Sequence, residues 1–346
     1  MTARLAQRRG AEFTRIHGLG DYRPRRVVTN AEICELIDSS DEWIKDRSGI
    51  ATRLQAEPQE SVVDMAAEAA RQAIEAAGIS ATDVGLVLLA TVTHPWQTPA
   101  AAPMVAHAIG ATNASAFDLS AACAGFCYGL AVADDAVRAG SAEYVLVIGV
   151  EKFSDFRDPQ DRSTAFIFGD GAGAAVVGPS QTPGISPSVL GADGSGAMQI
   201  FQSRPWTEVR RDWEEMARSG AVPTELPAWP YIAMEGPSVF RWAVYSMAPV
   251  AKQAIAAAGL QVSDLDVFVP HQANMRIIDA LAKQLRLPPE VVVARDVVDV
   301  ANTSAASVPL AFTRLVREGQ AKSGDLALLM GFGAGLAWAA QVVVVP

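Results

Sequence analysis

Long apolar runs are missing from this chain. It is half apolar by count, yet no stretch reaches 18 uninterrupted apolar residues, which argues against a membrane-spanning helix. The basic N-terminus MTARLAQRRGAEFTRIHGLG carries no apolar run of signal-peptide length, so no secretion signal is expected. Cysteine is scarce. Three residues, Cys34, Cys123 and Cys127, cannot all pair, and none stands in a C-x-x-C spacing. Cys123 and Cys127 are four apart, a poor geometry for a disulfide within one helix. Reduced thiols in a cytoplasmic protein are the simplest expectation. Positive charge is in deficit, with 28 Lys and Arg against 38 Asp and Glu and a net charge of −10. Nucleic acid and anionic membrane are therefore not expected as general partners, although a local basic patch remains compatible. Low-complexity segments are also absent.

The chain does hold a regular alternation of buried strands and helices. VGLVLLATVT (84–93), EYVLVIGVE (143–151), GAAVVGP (173–179), LDVFVP (265–270), LALLMGF (326–332) and AAQVVVV (339–345) fit strands. Between them lie Ala-rich helical segments, of which VVDMAAEAARQAIEAAG is the clearest, with glycine as its stop signal. Such alternation predicts an α/β protein in which helices cover sheets buried on both faces.

The alternation also repeats. QAIEAAGISATDVGLVLL from Gln72 aligns without a gap with QAIAAAGLQVSDLDVFV from Gln253, an offset of 181 positions. GDGAGAAVV from Gly169 resembles GFGAGLAWA from Gly331. AVRAG and LVREG close two further helices, pairing Val137 with Val316 at an offset of 179, which also carries Cys123 onto Asn302. Three fragments in one order indicate a duplicated unit, with halves at 1–183 and 184–346. The segment 202–231 breaks the pattern. It is polar, proline-bearing and carries Trp206, Trp213 and Trp229. It fits an insertion, packed either over a functional site or along a sheet edge.

Candidate chemistry clusters at three places. In DLSAACAGFCYGL, tiny residues surround Cys123 just before a helical run. Free N–H groups and the positive helix end there favour a thiolate, and backbone N–H groups can hold an oxyanion. A buried structural cysteine is the competing reading, and it is the one kept for Cys127, one turn deeper. VPHQANMRIID sets His271 and Asn274 just past a strand, where an imidazole can exchange protons or donate a hydrogen bond. His17, His94 and His107 lie in a turn, a loop and an Ala-rich helix, where structural roles fit better. Asn302, in ANTSAASVPLA, is an ordinary helix N-cap by itself, but the repeat sets it opposite Cys123.

Six stretches in order, SSDEWIKDRSGI, FDLSAACAGFCYGL, DRSTAFIFGDGAGAAVV, VPHQANMRIID, NTSAASVPLA and GFGAGLAWAA, resemble the β-ketoacyl-acyl carrier protein synthase III family. This is a thiolase-like family of condensing enzymes, and the likeness runs from about residue 14 to the C-terminus. Its flavour is actinobacterial and close to the priming ketosynthases of aromatic polyketide pathways. The resemblance implies a thiolase-like fold of two α/β halves layered αβαβα, and a cytoplasmic homodimer. It implies a Cys-His-Asn triad at Cys123, His271 and Asn302, with an acyl-CoA thioester taken onto Cys123 and then condensed with malonyl-acyl carrier protein to start fatty-acid synthesis. Thioesters need little activation, so neither metal nor cofactor is expected; backbone N–H groups of Cys123 and of the glycine loop at Ala334 serve as oxyanion hole. Ala334 and Ala301 stand where the family commonly has glycine. The resemblance further implies that Trp43 and Arg162 sandwich the CoA adenine, that Arg47 reaches its phosphates and that Asn274 contacts CoA. The loop THPWQTPAAAP (93–103) would cross a dimer interface to close the partner's acyl pocket, with Thr98 at its floor and Trp96 nearby. On a helical wheel Arg276, Lys283 and Arg286 fall within roughly 80°, away from Ile277, Ile278, Leu281 and Leu285, and make a docking face for an acidic carrier protein. The alternative is a priming enzyme or acyltransferase of polyketide or other secondary metabolism. A papain-like protease shares the Cys, His, Asn order but not the duplicated α/β pattern, and a non-catalytic scaffold would not need Cys123.

Overall fold

A computed structural model describes residues 6, 8–219 and 228–346; residues 1–5 and 7 of the N-terminal segment and 220–227 of the expected insertion lie outside the described residues. The first half builds one five-stranded sheet from β1 (Phe13–Tyr22), β2 (Val84–Ala90), β3 (Ser115–Leu119), β4 (Tyr144–Lys152) and β5 (Asp170–Ser180). The second half builds another from β6 (Val189–Ala192), β7 (Val267–Pro270), β8 (Val292–Val293), β9 (Leu326–Gly333) and β10 (Ala337–Val344). Within each half, strands counted from its start lie in the order 1-5-4-2-3. In both, the second strand runs parallel to the third and fourth, and the fifth runs antiparallel to its two neighbours. The two sheets thus share one topology, the structural form of the sequence repeat.

The helices follow the same rule. Those of eight or more residues are α1 (Asp41–Ser48), α2 (Val62–Ala77), α3 (Ala101–Ile109), α4 (Gly125–Arg138), α5 (Trp206–Ser219), α6 (Gly236–Ala257), α7 (Met275–Leu285) and α8 (Ser307–Arg317). Helix α2 starts at a Ser61–Asp64 capping box and stops at left-handed Gly78. Its alanine face lets it lie unusually close to β1. A Cβ at Gly18 or Gly20 would stand 2.3 or 2.2 Å from the carbonyl oxygens of Ala73 and Ala69. Helices α2 and α3 cover the outer face of the first sheet, and α6 and α7 that of the second. Between the sheets lie α4 and α8, whose Phe126, Leu130, Val308 and Phe312 meet Val147, Val177, Val269 and Leu329 in one core. The result is an αβαβα stack in which the middle helices see apolar surface on both sides.

We infer that the halves divide at residues 183 and 184, because Gly184 joins them: its N–H donates to Thr14 O (2.9 Å) and its carbonyl accepts from Val344 N (2.9 Å). A charged seam crosses the same boundary. Asp21 meets Arg23 and Arg317, each at 2.7 Å, and buried Asp296 meets Arg23 at 3.1 Å and Arg314 at 2.9 Å.

The sequence pairing of Cys123 with Asn302 shifts by one turn. Helices α4 and α8 start 182 positions apart, at Gly125 and Ser307. Each follows a one-turn 3-10 helix, and the opening residues of those turns, Ala122 and Ser304, both have positive φ. Cys123 therefore corresponds to Ala305, and Asn302 lies just ahead of the turn. The ends Arg138 and Arg317 remain 179 apart, because α8 is three residues shorter. The run 101–103, expected as loop, already belongs to α3.

Candidate active site

Where the two middle helices begin, a cavity of about 690 Å³ opens between the halves. Cys123, His271, Asn302 and Ala334 all line it, together with Phe153, Phe156, Ile167, Phe168 and Phe332. Each side chain is delivered by the end of a strand or the turn before a helix. Cys123 sits in the turn after β3. Gly333 at the end of β9 approaches it so closely that a Cβ there would fall 2.7 Å from the sulfur. Glycine is required at that contact.

His271 follows β7, its N–H donating to Met330 O across the sheet. Its Nδ1 is 2.7 Å from Ser307 Oγ, and its ring meets Phe332 edge-on at 5.3 Å. Ser307 Oγ also accepts the Gln272 N–H at 3.4 Å, so its own proton is free for Nδ1. When that proton is given to Nδ1, the imidazole proton sits on Nε2. Burial alone drives the His271 pKa down to about 3, so the ring is neutral. Asn302 is tied to the other half through Ile167 O (2.9 Å) and Gly169 N (3.0 Å). Its Oδ1 accepts the Ser304 N–H at 2.8 Å, leaving the amide NH₂ for the cavity.

Burial works against the expected thiolate. Burial pushes the Cys123 thiol up to about 12, against the opposing pull of the Ser304 hydroxyl and the Ala334 N–H. The turn that carries Cys123 runs directly into α4, and the N-terminus of that helix also opposes the effect of burial. Cys127, also raised to about 12 by burial, packs into the middle layer. All three cysteines are free. His17 and His94 hold carbonyls of Pro179 and Pro99 at 3.0 and 3.3 Å and stay out of the cavity.

At the cavity mouth stand Trp43 and Arg47 of α1 and Asn274 and Arg276 of α7. Asn274 caps α7, accepting Ile277 N–H at 3.0 Å. The Arg162 guanidinium lies over the Trp43 ring at 4.8 Å from its centre, and that of Arg47 at 5.9 Å. The expected sandwich is closed on itself, with no room for a base between its faces. The α7 wheel holds: Ile277, Ile278, Leu281 and Leu285 are buried, and Arg276, Lys283 and Arg286 are exposed. Among the described residues no carboxylate lies within ion-pair distance of these three. Thr98 and Trp96 do not line this chain's cavity, and Trp96 is 63% exposed.

Several wall residues carried no individual signal in the sequence. The short antiparallel pair Ile200–Gln202 and Ile232–Met234 flanks the insertion and lines the cavity, as do Phe240 and Arg241 of α6. The inserted helix α5 stands outside, where Trp206 meets Trp229 edge-on at 5.6 Å. Gln272 donates to the carbonyls of Pro270 (2.7 Å) and Ala294 (3.3 Å) and so braces the His271 loop. A run such as NTSAAS hints at Ser304 and Ser307, but only their neighbours assign them roles.

The αβαβα stack with this cavity between its halves defines an enzyme of the thiolase-like class. Two family models match the chain: 3-Oxoacyl-[acyl-carrier-protein (ACP)] synthase III over residues 117–194, and its C-terminal counterpart over 255–345. Beta-ketoacyl-[acyl-carrier-protein] synthase III of Streptomyces glaucescens is 54% identical over 344 residues, 99% of this chain and 100% of that protein. The Mycobacterium marinum protein named mycobacterial beta-ketoacyl-[acyl-carrier-protein] synthase III is 50% identical, covering 99% of this chain and 98% of its own. Among solved structures, the priming beta-ketosynthase from the R1128 polyketide biosynthetic pathway superposes with a TM-score of 0.92 at 47% identity, over 100% of this chain and 99% of that one. The synthase III of Aquifex aeolicus VF5 gives 0.85 at 38%, over 96% and 99%. The chain belongs to the 3-oxoacyl-[acyl-carrier-protein] synthase III family.

Proposed function

We propose that the chain carries out the decarboxylative condensation of its family, with Cys123 as nucleophile. The observation that supports this most is the convergence of Cys123, His271 and Asn302 on one cavity. Cys123 sulfur attacks the carbonyl of an acyl-CoA, the N–H groups of Cys123 and Ala334 hold the oxyanion, and CoA leaves. Malonyl-carrier protein then enters and loses CO₂. The enolate oxygen accepts hydrogen bonds from His271 Nε2–H and the Asn302 amide. Both donors are neutral, so they stabilise the enolate without delivering a proton to it. The enolate carbon attacks the acyl-Cys123 thioester, and the 3-ketoacyl product leaves on the carrier.

Trp43, Arg162, Arg47 and Asn274 hold CoA in this reading, and entry of the adenine parts the Trp43–Arg162 stack. Arg276, Lys283 and Arg286 receive the acidic carrier. The enzyme works as a cytoplasmic homodimer, in which Thr98 and Trp96 reach the partner's acyl pocket. The exposed Phe117 on edge strand β3 and the exposed Met104 of α3 support a covered surface there. The three free cysteines suit a reducing compartment, and no helix among the described residues is long and apolar enough to cross a membrane. The test is intact-mass spectrometry of the protein with a panel of acyl-CoAs, followed by malonyl-carrier protein. An acyl adduct on Cys123 that is consumed to a 3-ketoacyl product supports condensation. An adduct moved unchanged to another acceptor favours the acyltransferase alternative, and no adduct from any acyl-CoA overturns both. The likeness to the R1128 priming ketosynthase favours a polyketide-priming role as second reading.

A further inference from the structure

Ser304, which lines the cavity with Cys123, and Glu151 behind it each hold a buried polar atom without a hydrogen-bond partner, Ser304 Oγ and Glu151 Oε1. Glu151 stands on β4 and is wholly buried. Its Oε2 accepts from Val92 N–H (3.0 Å), Thr93 Oγ1 (2.7 Å) and Thr91 Oγ1 (3.2 Å). The carboxyl is therefore held at one oxygen and unused at the other. The turn carrying Ser304 presses on β4 so closely that a Cβ at Gly149 would stand 2.1 Å from Ala305 O. The Ser304 hydroxyl lies within electrostatic reach of both the Cys123 sulfur and the Glu151 carboxyl, and bonds fully to neither.

Acylation of Cys123 requires its proton to leave. With the Ser307 hydroxyl donating to Nδ1, the imidazole carries its proton on Nε2 and has no free nitrogen to take it. We propose that Glu151 takes the Cys123 proton through the Ser304 hydroxyl when the sulfur is acylated, and returns it after condensation. This rests on the reading of Cys123 as nucleophile. The S–H bond breaks as the bond from sulfur to acyl carbon forms. Ser304 Oγ takes that proton and passes its own to Glu151 Oε1. CoA leaves as a thiolate and is protonated by solvent. When the enolate carbon displaces Cys123, the sulfur leaves as thiolate and recovers its proton along the same path.

The relay never places two anions side by side in the buried site. Burial raises Glu151 to about 7, suited to both accepting and returning a proton near neutrality. The titratable neighbour facing it is Cys123. From the β2 end only threonine hydroxyls and a backbone N–H reach it. Lys152, the next residue, points away to the carbonyls of Glu57 and Pro58 and to Asp155. His271, across the cavity, is neutral.

The test measures Cys123 alkylation by iodoacetamide and acylation by acetyl-CoA, read by adduct mass between pH 5 and 9. The native enzyme, Glu151→Gln and Ser304→Ala are compared. The native rate is expected to rise through about pH 7. Both variants are expected to react at least about tenfold more slowly and to lose that inflection, with Glu151→Asp restoring part of it. Were Glu151 only a charge opposing the thiolate, Glu151→Gln would react faster, and an unchanged or faster rate overturns the relay. If Glu151→Gln does not fold, Ser304→Ala decides alone: an unaltered rate and profile overturn the proposal. A native protein alkylated at neither condition on Cys123 removes the nucleophile itself. Native reactivity with unaffected variants removes the relay alone.

Discussion

At the scale of single residues, burial governs the chemistry more than charge does. His271 is held neutral by desolvation, with its pKa near 3 against the ordinary 6.5. Between those values the unfolded chain binds a proton that the native state refuses, so native stability falls as pH drops from 6.5 toward 3. His271→Gln should remove that part of the slope, and urea unfolding midpoints at pH 4.5 and 7.5 will then lie closer together than in the native protein. Ala301 shows a different residue-scale cost. Its φ of 63° and ψ of −163° belong to a region that suits glycine, at a strain of about 1–3 kcal/mol. Ala301→Gly should stay within about 1 kcal/mol of native stability, because strain relief offsets the lost methyl and the added chain entropy. Ala301→Val should lose more than about 3 kcal/mol, since a β-branched residue resists that backbone. Thermal unfolding of the pair reads the contrast. The alanine was visible in the sequence as a departure from the family's glycine, whereas its dihedral was not.

At the scale of elements, the cavity is made by ends. Strand β7 delivers His271, the turn before α4 delivers Cys123, and the turn before α8 delivers Ser304 while Ser307 opens the helix itself. Helix α1 and the segment carrying Arg162 close over the mouth through the Trp43 stack. That contact is expected to give way to a nucleotide base. Trp43→Ala should raise the KM for acyl-CoA about tenfold, the loss of one stacking or cation–π contact, and leave kcat nearly unchanged. Steady-state kinetics with a saturating carrier substrate check this. A fall in kcat with KM unaltered would place Trp43 outside the binding path. The amphipathic pattern made α7 legible from its sequence, because its period matches the helix. The Ile200–Gln202 and Ile232–Met234 pair escaped notice, because three-residue strands carry too little alternation to register.

At the scale of the whole molecule, the halves are joined by apolar middle helices and by the charged seam of Asp21, Arg23, Asp296, Arg314 and Arg317. Asp296 is buried between two guanidinium groups from opposite halves. Asp296→Ala should cost about 2 kcal/mol, because Arg23 and Arg314 each lose one charged hydrogen-bond partner, while Arg23 keeps Asp21 and Arg314 keeps Asp299 and Glu318. Denaturant unfolding measures it, and a cost below about 1 kcal/mol would make the seam incidental. The cavity lies at the same boundary, so a looser seam is also expected to lower activity. The duplicated topology was legible in the repeat, since two copies of one hydrophobic pattern fold alike. The exact pairing was not, because a one-turn difference in helix length keeps the helix ends in step while shifting their starts.

The sequence by itself determined the α/β class, the duplication, the family and the candidate residues Cys123, His271 and Asn302. Local periodicity and short motifs are properties of neighbouring residues. Only the tertiary structure decided that burial raises the Cys123 thiol, that Ser307 lies against His271 Nδ1 and that Glu151 stands near Ser304. Those facts depend on desolvation and on contacts between residues as far apart as 151 and 304, which no local pattern encodes.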